Sequence, residues 1–291
     1  MSVGVLGVGR MGAQIALEYA IGGHAVHVVA RRPAEGAVRI DAAAALARRH
    51  GVAGDAELEA ARARVSIGGV EALAPDTALV VESIAEDLGA KAQLLGEVAR
   101  RLPDATLATN TSSLSIAAIG EAIGAPERTI GTHYWNPPLL MPLVEVIRGP
   151  RLDDARLTAV LSTLRAIGKR PVVVRSDVPG FVWNRLQFAL LREAVWLADQ
   201  GVADPATIDE IVRDGLARRW RLTGPFETAA LGGAETFATV AANLLPELST
   251  ATTAPSLARW AAAAAGRLDG LAERRDAELA AELRRDREQG A

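Results

Sequence analysis

Apolar residues open the chain in a short run, Val3-Gly4-Val5-Leu6, which gives way to a glycine-rich turn, Gly7-Val8-Gly9-Arg10-Met11-Gly12. The apolar spacing then becomes helical through Ile15, Ala16, Tyr19 and Ala20, until Gly22-Gly23 interrupts it. A second apolar run follows, Ala25-Val26-His27-Val28-Val29-Ala30. Strand, glycine turn, helix and strand in this order predict the start of a parallel α/β sheet. Residues 35–64 are rich in Ala, Arg and Glu, are broken at Gly51 and Gly54, and suit two helices. Further strands are predicted at 64–67, 78–82, 106–108, 128–132, 143–147 and 171–174. Helices fall between most of them, notably at 88–102 and 153–167.

The pattern changes at Val178-Pro179-Gly180, beyond which no clear strand appears. Helices are predicted at 181–200, 205–216, 233–245 and from 256 to 287. Asp204-Pro205 and Gly224-Pro225 read as helix starts, with proline at the first helical position. Two domains are therefore expected, 1–178 and an all-helical 179–291. The charged stretch 273–289 reads as a solvated helix end. The apolar helices of the second domain are expected to bury a homodimer interface.

Composition narrows the function classes. The length of 291 residues and 49% hydrophobic content support a large core. A net charge of −3 gives no long-range positive field for nucleic acid or an anionic membrane. The absence of cysteine removes disulfides, thiolate nucleophiles and thiolate-bound metals. His24, His27, His50 and His133 form no metal-ligand spacing. A strand beginning at Val3 leaves no room for a signal peptide, and no apolar run approaches the ~20 residues of a membrane span. A cytoplasmic protein acting on a small molecule is expected.

The glycine turn is the first chemical signal. GxGxxG after a strand and opening a helix is the context of a Rossmann-type dinucleotide-binding domain. Gly7 permits the tight turn, Gly9 lets the backbone approach a pyrophosphate, and Gly12 allows close helix–strand packing. Arg10 and Met11 belong to the helix start, whose free N–H groups attract phosphate. NAD recognition commonly places a carboxylate near the end of the second strand. Here Ala30-Arg31-Arg32 stands instead, and Arg31 or Arg32 can pair with a 2′-phosphate. The cofactor expectation is NADP(H), with NAD(H) as the alternative.

Polar residues gather where a parallel sheet places its site, beyond the strand C-termini. They lie in Glu82-Ser83-Ile84-Ala85-Glu86 with Lys91 on the next helix, in Asn110-Thr111-Ser112-Ser113, in Thr132-His133-Tyr134-Trp135-Asn136-Pro137-Pro138, and at Glu145. Glu145 sits mid-way along an apolar strand, where burial demands a partner. His133, at a strand end twelve positions earlier, is a candidate. An imidazole held by a carboxylate has a fixed tautomer and can remove an alcohol proton while hydride leaves the same carbon. From spacing alone, a structural histidine fits as well. No GxSxG elbow supports a hydrolase.

From the Gly7 loop to the Gly224 region the chain resembles the 3-hydroxyacyl-CoA dehydrogenase family. The carrying motifs are the glycine turn, Val81-Glu82-Ser83-Ile84-Ala85-Glu86, Asn110-Thr111-Ser112-Ser113-Leu114, His133 to Glu145, and Asp177-Val178-Pro179-Gly180-Phe181-Val182-Trp183-Asn184-Arg185. The resemblance implies that His133 is the general acid/base and Glu145 its orienting partner. It implies that Ser112 and Asn184 bond the substrate oxygen and the histidine, and that Glu86, Lys91 and Asn110 line the cofactor. Tyr134-Trp135 replaces the family's common phenylalanine pair, and Trp183 is larger than the usual residue. Residues 214–220 and 224–227 are more similar to the lambda-crystallin, gulonate dehydrogenase and carnitine dehydrogenase branch, which implies a free 3-hydroxy acid as the alternative to an acyl thioester. A non-catalytic nucleotide-binding protein is the rival of another class, and the set Ser112, His133, Glu145 and Asn184 argues against it.

Overall fold

The computed structural model describes residues 1–265 and 268–289. They cluster into two units, Met1–Val182 joined by the segment from Glu273 onward, and Trp183–Ala272.

The first unit is built on eight strands: β1 (Ser2–Leu6), β2 (Ala25–Val29), β3 (Val65–Gly68), β4 (Thr77–Glu82), β5 (Thr106–Thr109), β6 (Thr129–Tyr134), β7 (Leu143–Arg148) and β8 (Arg170–Val174). Their order is β3-β2-β1-β4-β5-β6-β7-β8, with the first six parallel. Helices α1 (Arg10–Ile21), α2 (Pro33–Arg49), α3 (Asp55–Ala63), α4 (Leu88–Arg101), α5 (Ile116–Ala122) and α6 (Asp154–Ala166) supply the crossovers and cover both faces. The strands are apolar at nearly every position because both faces are buried. In β4, Leu79 and Val81 join one core with α1 and α6, while Val80 joins the other with Leu95 and Val98 of α4. Burial of each such side chain contributes roughly 1.5–3 kcal/mol.

The sheet departs from the expected parallel pattern at β7, which runs antiparallel to β6. Residues 135–142 alone join the two, too few for the dozen or so that a parallel crossover needs. β6 also runs on to Tyr134, so His133 lies within a strand rather than after one, directly opposite Glu145. The apolar pattern alone predicts an end at 132.

The second unit carries α7 (Trp183–Asp199), α8 (Pro205–Glu210), a π-helical stretch (Ile211–Ala217), α9 (Arg218–Trp220), α10 (Pro225–Leu231), α11 (Ala234–Leu244) and α12 (Leu257–Ala265). Asp204 caps α8, its carboxylate accepting from Ala206 N and Thr207 N. Asp199 ties α7 to α12, accepting from Ser256 Oγ and Trp260 Nε1.

The expected helix 256–287 is two helices, α12 and α13 (Leu271–Glu288). Residues 266 and 267 lie outside the described residues, and Gly270 turns the chain at φ 64°. α13 is largely exposed, as its charge predicts, but one face docks on the first unit. Ala280 and Leu283 are buried, Arg284 Nη1 donates to His50 O at 2.9 Å, and Arg287 Nη1 donates to Val52 O. His50 caps the C-terminus of α2, where carbonyls lack helical donors, and Arg284 satisfies its carbonyl. The segment expected in a second domain, 179–291, thus contributes its last helix to the first unit.

Candidate active site

The strand order reverses between β1 and β4, and both strands end at the same edge of the sheet. Such a switch point leaves a crevice beyond the strand C-termini. The glycine turn sits there. Gly7 has φ 95°, and a Cβ on it would lie 2.7 Å from Ser83 O. A Cβ on Gly12 would come within 2.1 Å of Gly7 O. These two glycines let β1, the turn and α1 close on one another. Gly9 differs: nothing stands within 4 Å of its missing Cβ, and as N-cap of α1 it offers no side chain to the helix N-terminus. Open space before a free helix end fits a pyrophosphate. Arg10 is exposed and Met11 half-buried at that end. At the close of β2, Ala30 is buried, Arg31 is exposed, and Arg32 pairs with Glu35 at 2.7 Å.

Glu82, at the end of β4, is fully buried and ionically paired. Its Oε1 accepts from Lys91 Nζ and Ile84 N, both at 2.6 Å, and its Oε2 accepts from Thr109 Oγ1 at 2.6 Å. Lys91 is 1% exposed and also stands 3.4 Å from Glu86 Oε2. Glu86 Oε1 in turn accepts from Thr111 Oγ1, Ser112 N, Ser113 N and Ser113 Oγ. Burial pushes the Glu86 carboxyl upward, but these hydrogen bonds outweigh it and hold the pKa down at about 2. Lys91 and Glu86 therefore organise the turn that carries Ser112. The sequence alone assigns Glu82 no role. The available signal was a carboxylate closing an apolar strand, nine positions before one of the chain's two lysines.

Asn110 ties two strands across β5. Its Oδ1 accepts from Tyr134 N at 2.8 Å and its Nδ2 donates to Ser83 Oγ at 3.3 Å. Beside it, His133 Nδ1 and Glu145 Oε2 are 2.7 Å apart across the β6–β7 ladder, with both side chains nearly inaccessible. A carboxylate in this position selects the tautomer with its proton on Nδ1 and leaves Nε2 for exchange. Glu145 Oε1 accepts from Val182 N at 3.1 Å. Ser112 lies in the exposed turn after β5, whereas Asn184 lies in the first turn of α7, in the second unit.

The link between the units begins with a turn. Phe181 N donates to Val178 O, with Pro179 and Gly180 (φ 79°) between, the pattern of a type II turn. Phe181 follows at φ 51°, the one non-glycine residue with positive φ among the described residues. That conformation excludes it from the helix expected over 181–200 and costs about 1–3 kcal/mol.

The model of the 3-hydroxyacyl-CoA dehydrogenase NAD-binding domain matches residues 2–178, and that of the same family's C-terminal domain matches residues 180–275. The chain belongs to the 3-hydroxyacyl-CoA dehydrogenase family. The 5-formyl-3-hydroxy-2-methylpyridine 4-carboxylate 5-dehydrogenase of Mesorhizobium japonicum is 36% identical over 59% of this chain and 56% of its own length. The L-carnitine dehydrogenase of Pseudomonas aeruginosa is 34% identical over 79% of this chain and 70% of its own. The probable 3-hydroxybutyryl-CoA dehydrogenase of Bacillus subtilis is 36% identical over 73% and 75%. The matched part thus spans little more than half of the first relative. A crystal structure of a 5-formyl-3-hydroxy-2-methylpyridine 4-carboxylic acid 5-dehydrogenase, described as NAD+ dependent, superposes with a TM-score of 0.85 at 29% identity and covers 97% of both chains. The chain thus has the family's N-terminal NAD-binding domain, on a Rossmann-type sheet, and its helical C-terminal part.

Proposed function

We propose that the protein catalyses reversible hydride transfer between a nicotinamide cofactor and the C3 secondary alcohol of a 3-hydroxyacyl compound, with His133 and Glu145 moving the proton. The reading is carried by the 2.7 Å His133–Glu145 bond, near the same edge of the sheet as a glycine turn with room for a pyrophosphate. When bound, the nicotinamide supplies the hydride acceptor. In oxidation, His133 Nε2 takes the hydroxyl proton, and ionised Glu145 stabilises the imidazolium that forms. The Ser112 hydroxyl donates to the substrate oxygen as its bond order rises. In reduction the same groups act in reverse. Gly7, Gly9, Gly12 and the α1 N-terminus hold the pyrophosphate.

The mixture of relatives favours a second substrate reading, a free 3-hydroxy acid, since carnitine dehydrogenases stand beside hydroxybutyryl-CoA enzymes. For the cofactor, Ala30 and the exposed Arg31 support NADP(H), with Arg32 shared with Glu35. The second unit is read as a homodimer surface.

His133→Ala is expected to lower kcat by about 10²–10⁴-fold with the cofactor Kd nearly unchanged. Turnover close to wild type in that variant would refute the assignment. The assay crosses NADH and NADPH with 3-oxoacyl thioesters and free 3-oxo acids at the nicotinamide absorbance band. Arg31→Ala combined with Arg32→Ala should weaken NADPH more than NADH, and equal losses count against NADP(H).

A further inference from the structure

We propose that Phe181 is a positioning residue for the His133–Glu145 pair, sealing their hydrogen bond from water and turning Val182 N–H onto Glu145. The inference rests on the reading of that pair as the proton-transfer device.

Four observations converge on it. The Phe181 ring is 1% exposed and meets the His133 imidazole edge-on, with centroids 5.6 Å apart at 61°. The same ring packs with Ile116, Ile147 and Val174, from α5, β7 and β8, so its place is fixed by the core of the first unit. The backbone is held at both ends. Asp177 Oδ2 accepts from Ser115 Oγ at 2.6 Å and from Ala117 N at 2.9 Å, and Val182 N donates to Glu145 Oε1 at 3.1 Å. Between those anchors the chain takes two successive left-handed residues, Gly180 at φ 79° and Phe181 at φ 51°.

A large side chain in that region is disfavoured and persists where its surroundings require it. The requirement here has two parts. The left-handed step sends the ring inward onto the imidazole, and it leaves the next N–H aimed at the second oxygen of Glu145. One Glu145 oxygen then faces the imidazole while the other is held by the backbone, so the carboxylate cannot rotate away. An apolar ring against the imidazole edge excludes water, which strengthens the hydrogen bond and keeps the Nδ1 proton in place.

Two variants test this. Phe181→Gly removes the ring and relieves the backbone. Phe181→Leu keeps apolar bulk within the Ile116, Ile147 and Val174 cluster and preserves folding. Both should lower kcat about tenfold or more while the KM for the cofactor changes little. In proton NMR, the downfield Nδ1–H signal of His133 should be present in the parent protein and lost to water exchange in Phe181→Gly. Parent kcat and an intact signal in both variants would overturn the role of Phe181, even if melting temperature fell. His133→Ala separates the two readings. If it retains turnover, the pair itself is wrongly assigned and Phe181 falls with it. If it loses turnover while the Phe181 variants keep both turnover and signal, the error lies with Phe181 alone.

Discussion

Glu86 shows how one carboxylate can hold a functional turn. Its four hydrogen bonds from Thr111, Ser112 and Ser113 require the ionised form, and they depress its pKa from an ordinary 4.5 to about 2. A depressed acid contributes stability that is fully present above the unfolded value and lost as pH falls through the folded one. The window is therefore pH 4.5 down to about 2. Urea midpoints measured across that range should fall less steeply in Glu86→Gln than in the parent, and identical slopes would contradict the account. The neighbouring pair obeys a harsher rule. Lys91 and Glu82 are both buried, so Lys91→Met leaves a charge without its partner and should cost about 3–5 kcal/mol in the same assay. Adding Glu82→Gln should recover part of that loss, because an amide is cheaper to bury than an ion.

At the scale of elements, the glycine turn separates two uses of one residue type. Gly12→Ala would drive a methyl group to 2.1 Å from Gly7 O, forcing α1 away from the turn. Both melting temperature and cofactor affinity should fall, with a stability cost of about 1–3 kcal/mol. Gly9→Ala meets nothing within 4 Å, at an ordinary φ of −66°. Its folded state should be unharmed, or even stabilised by about 0.4–1 kcal/mol through the unfolded chain. The methyl would nevertheless occupy the approach of the pyrophosphate, so cofactor Kd should rise. A Gly9→Ala protein that binds cofactor normally would show that the phosphate lies elsewhere. α13 carries the other lesson of this scale. Most of it is exposed, as its charge predicts, yet Arg284 reaches the His50 carbonyl at the end of α2, Arg287 reaches Val52 O, and its narrow apolar stripe is buried. Periodicity shows that such a stripe exists; it does not show what the stripe meets.

For the whole molecule, the second unit presents apolar side chains that a monomer would leave in water. Leu222, Phe226 and Leu231 are 84%, 89% and 78% exposed. Surface of this kind marks an interaction site more often than an ordinary face. Sedimentation equilibrium is expected to give twice the chain's 30.5 kDa, and Leu222→Glu with Phe226→Glu should return it to one. A monomeric parent protein would remove the homodimer reading.

The sequence by itself determined the dinucleotide turn and most of the strands. Both are local: glycine is required where a Cβ would strike the backbone, and strands buried on both faces read as apolar runs. It also marked His133, Glu145 and Glu86, since polar residues next to such runs need partners. The tertiary structure alone decided which partners they have. The short 135–142 connection reverses β7, and that reversal sets His133 opposite Glu145 at 2.7 Å. The docking of α13 and the left-handed Phe181 likewise arise from contacts between segments distant in the chain. Their energies come from burial, which a one-dimensional pattern does not specify.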